Sequence, residues 1–455
     1  MDSSTAVISS PVVALVAFLG VIVLLLFLIA KWRWHVFLAL LVPLLLFGFI
    51  PGVEQNNFVE AFERGFGSTL GSIGVVIVLG SIIAEALKHT GAIQTITRTM
   101  VGAVGTKRMP LALTLTGFIL GIAIFSDVAY VILNPLVHSA AKMMGVTVSV
   151  MSIGLVGSLQ LTHAIVPPTP GPLAAAALVG ADIGKTIIFG GFACLVGSLA
   201  GWIWGQYIVG PRISAPPLEK FIGENFLEEN QNEKSLGALA SYAPIIVPIL
   251  LISAQSVTRL FLDEGHFLRT GLAYVGWPVV ALSIGVWLAY RNITTQQHRE
   301  EAKEKWVENG LRVSAMILVV TGLGGSLSEI LKATPAVESI SSFFVAYGLP
   351  SILLPFVIGI IGNMITGSTT VGVITAASLV APMLQTLALS PEAAMLAGAS
   401  GSVIIKYVNS SYFWVCTTLS GLQPNDALLG YGGVTLVGGL TSFLAVCLMW
   451  VFGII

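Results

Sequence analysis

The chain has 455 residues, 55% hydrophobic and 9% charged, with a formal net charge of −1. A soluble domain carries about 25% charged residues, so that class is excluded, and the balanced charge gives no reason to expect a nucleic-acid partner. Several apolar runs reach the ~20 residues that cross a bilayer, which predicts an all-α polytopic membrane protein whose first partner is lipid.

Residues 11–30 and 36–50 read as the first two spans, joined by a link that carries Lys31, Arg33 and His35. The positive-inside rule places that link in the cytoplasm and the N-terminus outside. Residues 1–29 do not read as a cleaved leader, because Asp2 stands where a basic region would and the apolar stretch is too long. The next link, with Glu54, Glu60, Glu63 and a single Arg64, fits the exterior, and residues 68–87 cross inward and deliver Lys88, Arg98, Lys107 and Arg108 to the cytoplasm. Residues 110–142 are apolar but interrupted near Phe125-Ser126-Asp127, with Lys107, Arg108 and Lys142 at the two ends. That pattern predicts a re-entrant hairpin opening to the cytoplasm.

The next segment, 144–180, contains T-H-A-I-V-P-P-T-P-G-P at 162–172. Proline lacks an N–H and its ring collides with the preceding turn, so this stretch breaks a transmembrane helix at mid-depth. Open backbone survives there only inside protein or along a wet cavity. In transporters such breaks hold substrate and coupling ions, so the motif points to a secondary transporter. Residues 186–209 return to the cytoplasm, and 211–236 form a polar, Glu-rich linker.

The second half repeats this order. Spans are predicted at 242–262 and 272–290, then a charged loop at 291–308 read as a solvated amphipathic helix, then a span at 311–331. A hairpin at 351–389 is interrupted at Gly362-Asn363 and 366–370, a broken helix at 393–421 is interrupted at 406–411, and 428–451 closes the chain. Both termini are then outside, in the inner (plasma) membrane. Without a gap, 79–96 aligns with 323–340 through a shared E-x-L-K-x-T that starts at Glu85 and at Glu329. The charge count sends the two segments in opposite directions, the mark of an inverted-topology repeat. The domains are therefore a first repeat at 1–210, the linker at 211–236 and a second repeat at 237–455.

Stretches throughout the chain carry a family likeness: G-F-G-S-T-L-G-S-I-G at 65–74, F-S-D-V at 125–128, the proline motif, G-A-D-I-G at 180–184, G-S-T-T-V at 367–371 and V-N-S-S-Y-F-W at 408–414. On these the chain resembles the gluconate:proton symporter (gluconate permease, GntP) family within the ion-transporter superfamily. The resemblance implies paired re-entrant hairpins, paired broken helices, a homodimer built on a scaffold domain, and inward transport of gluconate or another small hydroxy or amino carboxylate. The family pattern P-P-H-P-G-P is departed from at Thr169, and H-V-N-D at 407–410, where the chain reads Tyr-Val-Asn-Ser after Lys406. A carboxylate and two imidazoles are absent, and a cation has appeared.

Asp127, a carboxylate at a hairpin tip, is the candidate for proton coupling, since a buried carboxylate must be protonated, paired or ion-bound; its plainer role is a helix cap. His163, just before the break, titrates in the right range for the same task, against a structural bond to a free carbonyl. Lys406 has two functional readings, a counter-charge for a substrate carboxylate or a tethered cation that pairs with Asp127 or replaces an ion; its plainer role is snorkelling. Ser126, Thr169, Asn363, Ser368, Thr369, Thr370, Asn409 and Ser410 supply hydroxyls and amides for a polyhydroxy acid, as do Ser68 and Thr69, although such residues also glue membrane helices together. His89 and His138 read as structural, as do Cys194, Cys416 and Cys447, which lack metal or redox spacing. No metal or cofactor is expected.

The function expected is proton symport of a small hydroxy-carboxylate by alternating access. One alternative is a carrier of another small organic or amino acid with altered or absent cation coupling, Lys406 replacing the ion. An intramembrane enzyme is the other, and Ser126-Asp127 with His163 is its only candidate nucleophile–base set.

Overall fold

The computed structural model describes residues 7–455 apart from 9, 33, 220–235, 264, 336–348 and 408–409. Helix dominates, as it must where lipid offers backbone groups no partner; among the described residues the strand pairing is one isolated bridge, Ile8 with Val53.

In the first half, α1 (Pro11–Ala30) and α2 (Val36–Phe47) precede a long α3 (Gln55–His89) that bends by 42° between Ser72 and Gly74. α4 (Ala92–Val104) leads to α5 (Met109–Leu120), which is separated from α6 (Ser126–Met144) by a short turn. α7 (Val148–Ile165) and α8 (Pro170–Val179) flank the proline motif, and α9 (Ile183–Ile203) ends the half. The second half has α10 (Ala238–Phe261), then α11 (Phe267–Val275) and α12 (Pro278–Arg291) meeting at 63°, then α13 (Gln296–Lys303) and α14 (Lys305–Lys332). α15 (Leu353–Thr366) and α16 (Thr369–Val380) are parted by Gly367 and Ser368, and α17 (Pro391–Val403) by a longer break from α18 (Ser411–Ser420). α19 (Pro424–Ala427) continues through a π-helical stretch into α20 (Gly433–Val451). Among the described residues, five helical segments are long and apolar enough to cross a membrane, or seven if each bent pair is one span.

The four interruptions fall near the predicted places, except that none occurs at Gly362-Asn363: both lie within α15, where Gly362 packs against Gly372, and the break comes at Gly367-Ser368. The helix ends shift more. α3 starts well before residue 68, because Glu60 and Arg64 extend from its exposed side while Phe58, Ala61 and Gly65 face protein. α3 packs on α14 with backbones touching: a Cβ on Gly65 would lie 2.4 Å from the Gly325 carbonyl oxygen, and one on Gly325 would lie 2.4 Å from that of Gly65. Small residues allow that approach where lipid supplies no hydrophobic drive to association. The shared motif sits on these two helices, and Glu85–Lys88 (3.7 Å) and Glu329–Lys332 (2.7 Å) form the expected ion pairs.

The loop at 291–308 is more than a solvated helix. Ala302 and Trp306 are buried against Ala86, Ala289 and Ile293, Tyr290 donates its hydroxyl to the Ala302 carbonyl at 2.7 Å, and the Trp306 ring stacks on His89 at 5.2 Å. Its few apolar side chains are what pin this charged segment down.

Of the five described segments long enough to span, α7–α8 is the most enclosed, with nearly all of it buried. α5 and α9 pack along α7, α16 along α8, and α17 reaches both. Inside protein, the open backbone at its break is permitted.

Candidate substrate-binding site

Three helices begin at buried residues, α6 at Ser126, α8 at Pro170 and α16 at Thr369, and α18 begins at exposed Ser411 just after buried Ser410. First-turn N–H groups have no partner within their own helix, and the aligned peptide dipoles leave about half a positive charge at such an end. Interior helix starts are therefore places where a carboxylate is held.

Side chains tie these starts together. Ser126 donates its hydroxyl to Gln160 Oε1 at 3.2 Å, and Gln160 Nε2 donates to Thr369 Oγ1 at 3.1 Å, so one buried amide on α7 links the α6 and α16 starts. α8 meets α16 at Gly171, where an added Cβ would lie 3.2 Å from Thr370 Oγ1. α18 is fastened one turn along α7 from Gln160, since Tyr412 donates its hydroxyl to the Val156 carbonyl at 3.0 Å.

Lys406 enters from the α17–α18 break. Its Nζ donates to Asn363 Oδ1 and to the Gly367 carbonyl, both at 2.8 Å, and the residue is only 3% exposed. Asn363 Nδ2 donates to the Ile404 carbonyl at 2.9 Å, which fixes the amide oxygen toward the ammonium. The Lys406 backbone N–H donates to Thr435 Oγ1 at 2.9 Å. Burial and these partners exclude snorkelling. Pairing with Asp127 is corrected as well: among the described residues Lys406 makes no ion pair, because the α15–α16 turn has claimed its head.

Asp127 is half-buried in the first turn of α6, where Oδ1 accepts from the N–H of its neighbour Val128 at 2.9 Å, while the α6 N-cap, Phe125, makes no side-chain cap. His163 packs its ring 5.2 Å from that of Phe125, and its Nδ1 is buried without a partner. Among the described residues no bond runs from that ring to a free carbonyl, the alternative role; the His163 carbonyl instead accepts from Thr169 Oγ1 at 2.9 Å, beside a 2.7 Å bond from the same hydroxyl to the Val166 carbonyl. Thr169 thereby satisfies the carbonyls that the proline motif frees. His163 and Thr169 also line a cavity that separates the break from Ser81 on α3, Pro244 and Pro248 on α10 and Leu282 on α12.

Ser368 caps α16, its Oγ accepting from the Val371 N–H at 3.3 Å, and Ser410 is buried at the start of α18. Asn409 lies outside the described residues. Ser68 and Thr69 sit at the α3–α14 crossing rather than among these groups. His138 is structural, accepting from the Leu218 N–H at 3.0 Å and contacting the Leu419 carbonyl at 2.9 Å. Gln160 and Thr435 were not anticipated; the one signal for Gln160 is that it is the only amide in α7. Ser126, the nucleophile an enzyme would need, is bonded to Gln160 and not to His163.

Apolar helices enclosing a polar, open-backbone centre with anion-attracting helix ends define a membrane transporter. The family model of the GntP family permeases matches residues 12–453, and the chain belongs to that family. It is 31% identical over 409 residues to a gluconate permease of Pseudomonas aeruginosa, covering 88% of this chain and 89% of that one. It is 30% identical over 423 residues to the D-serine transporter DsdX of Escherichia coli, covering 92% and 94%. In fold it is similar to the solved structure of Neisseria gonorrhoeae MtrF, at a TM-score of 0.63 and 15% identity over 94% of this chain and 97% of that one. The protein is a transporter, not an enzyme.

Proposed function

We propose that the chain is a secondary active importer of a small hydroxy-carboxylate of the gluconate type, driven by proton symport. The observation that carries this reading is the bridging of interior helix starts by Ser126, Gln160 and Thr369 beside a buried ammonium. The substrate carboxylate takes the helix ends and Lys406; its hydroxyls take Ser126, Thr169, Asn363, Ser368, Thr369, Thr370, Asn409 and Ser410. Asp127 carries the proton, with His163 close by to pass it on. The repeats at 1–210 and 237–455 insert in opposite senses, and alternating access moves one part of each against a scaffold within a homodimer. Relatives that transport gluconate and D-serine both support a small carboxylate bearing a neighbouring polar group.

The test is uptake of labelled gluconate into proteoliposomes, with unlabelled D-serine as competitor. Acid outside is expected to drive accumulation at least tenfold above the level without a gradient, and Asp127→Asn to abolish that increment while leaving gluconate binding in place. Uptake indifferent to the pH gradient would remove the coupling; D-serine uptake without gluconate uptake would change the substrate to an amino acid.

A further inference from the structure

We propose that the Lys406 ammonium is a built-in monovalent cation, seated in a two-oxygen cradle at the α15–α16 turn and doing there what a bound alkali ion would otherwise do. This rests on the transporter reading only for its consequence in uptake; the cation site stands on geometry.

The cradle has the chemistry of a small hard-cation site. Both acceptors are neutral oxygens, the Gly367 carbonyl and Asn363 Oδ1, each 2.8 Å from Nζ. Such oxygens, carbonyl and amide, bind hard cations and replace an ion's hydration shell. Gly367 lies in the left-handed region (φ 72°) just past the end of α15, so its carbonyl turns toward the ammonium at the negative end of that helix. The amide cannot present its nitrogen instead, because Nδ2 is engaged by the Ile404 carbonyl.

The chain bends to deliver the charge. Ile405, a β-branched residue, sits at φ 52°, a region such residues rarely enter, and it immediately precedes Lys406. Thr435 on α20 holds the next N–H. Backbone held in a rare conformation from both sides is over-determined, and that condition clusters at functional positions. An ammonium has three donors, and the described residues accept two. The third is left for the substrate carboxylate at the adjoining start of α16, so cation and anion meet across one turn, with the cation at a helix C-terminus and the anion at a helix N-terminus.

The first measurement uses no substrate, so it stands or falls apart from carboxylate transport. Thermal unfolding of the purified full chain is compared in sodium chloride and in choline chloride at equal ionic strength, for the natural protein and for Lys406→Ala. The natural protein is expected to unfold at the same temperature in both salts. Lys406→Ala, with the cradle vacated, is expected to unfold several degrees lower in choline and to recover part of that loss as sodium is raised, saturably. Lys406→Met, whose thioether fills the space without charge, is expected to show no such recovery. Lys406→Ala insensitive to sodium would overturn the proposal. Where that variant does not fold, the natural protein decides: gluconate uptake unchanged when sodium and potassium are replaced by choline supports the built-in cation, and uptake or thermal stability that requires sodium sinks it.

Discussion

At the scale of single residues, Gln160 has the most to lose. Its amide satisfies two hydroxyls on two different helix starts, and all three side chains are buried. Removing one partner from a buried polar group costs about 1–3 kcal/mol, more than the bond itself contributes. Gln160→Leu is therefore expected to lower stability by about that amount and to cut uptake far more steeply than it cuts expression, as read by denaturant unfolding beside transport. Gln160→Glu keeps an acceptor for Ser126 but puts a carboxyl in a buried site where its charged form is costly, so a loss of stability that deepens as pH rises is expected; no loss from either Leu or Glu would mean that the bridge contributes nothing. Neither Gln160 nor the partners of Lys406 can be read from spacing. Asn363 and Gly367 stand some forty residues before Lys406, and no local rule connects them. Asp127, His163 and Lys406 could be singled out one by one because ionisable groups in apolar segments are rare, yet which of them meet is a property of tertiary packing.

At the scale of elements, the breaks at 167–172 and 367–368 were legible because proline and glycine act through the backbone itself, and those near 125–127 and 406–411 because polar residues interrupt an apolar run. The extent of α3 was not, since Glu60, Glu63 and Arg64 suggested a loop, whereas packing on α14 carries the helix through them. The same limit applies to the loop at 291–308, where one tryptophan outweighs a run of charges. The α3–α14 crossing gives a sharp expectation. A methyl at Gly65 has no room beside the Gly325 carbonyl, and backbone cannot rotate aside as a side chain can. Gly65→Ala is expected to destabilise by about 1–3 kcal/mol through overpacking, whereas Gly67→Ala, with open space around its Cβ inside a helix, is expected to leave stability unchanged or raise it by up to about 1 kcal/mol. Thermal unfolding of the two variants side by side would separate them, and equal effects would mean that this contact is not tight.

At the scale of the whole molecule, each half has two interrupted helix pairs followed by a last long helix, and under the proposed inverted repeat the two halves cross the membrane in opposite directions. Single cysteines placed at Lys107 and at Arg299, in a background lacking the three natural ones, are expected to react with a membrane-impermeant maleimide only when the cytoplasmic face is opened. One placed at Gly52 is expected to react in intact cells. Labelling of all three from one side would end the inverted-repeat reading. A different consequence follows from Asp127 and Lys406, one acid and one base that make no ion pair among the described residues. Should both travel with the moving part, the empty carrier holds one negative and one positive charge, a sum of zero. Loading a proton on Asp127 and a monoanion beside Lys406 again sums to zero. Neither leg of the cycle would then move net charge, and a membrane voltage, which acts on one elementary charge with about 2.3 kcal/mol per 100 mV, would do no work on it. Such a carrier is electrically silent and fed by acidity alone, and Lys406→Met would make it sensitive to voltage.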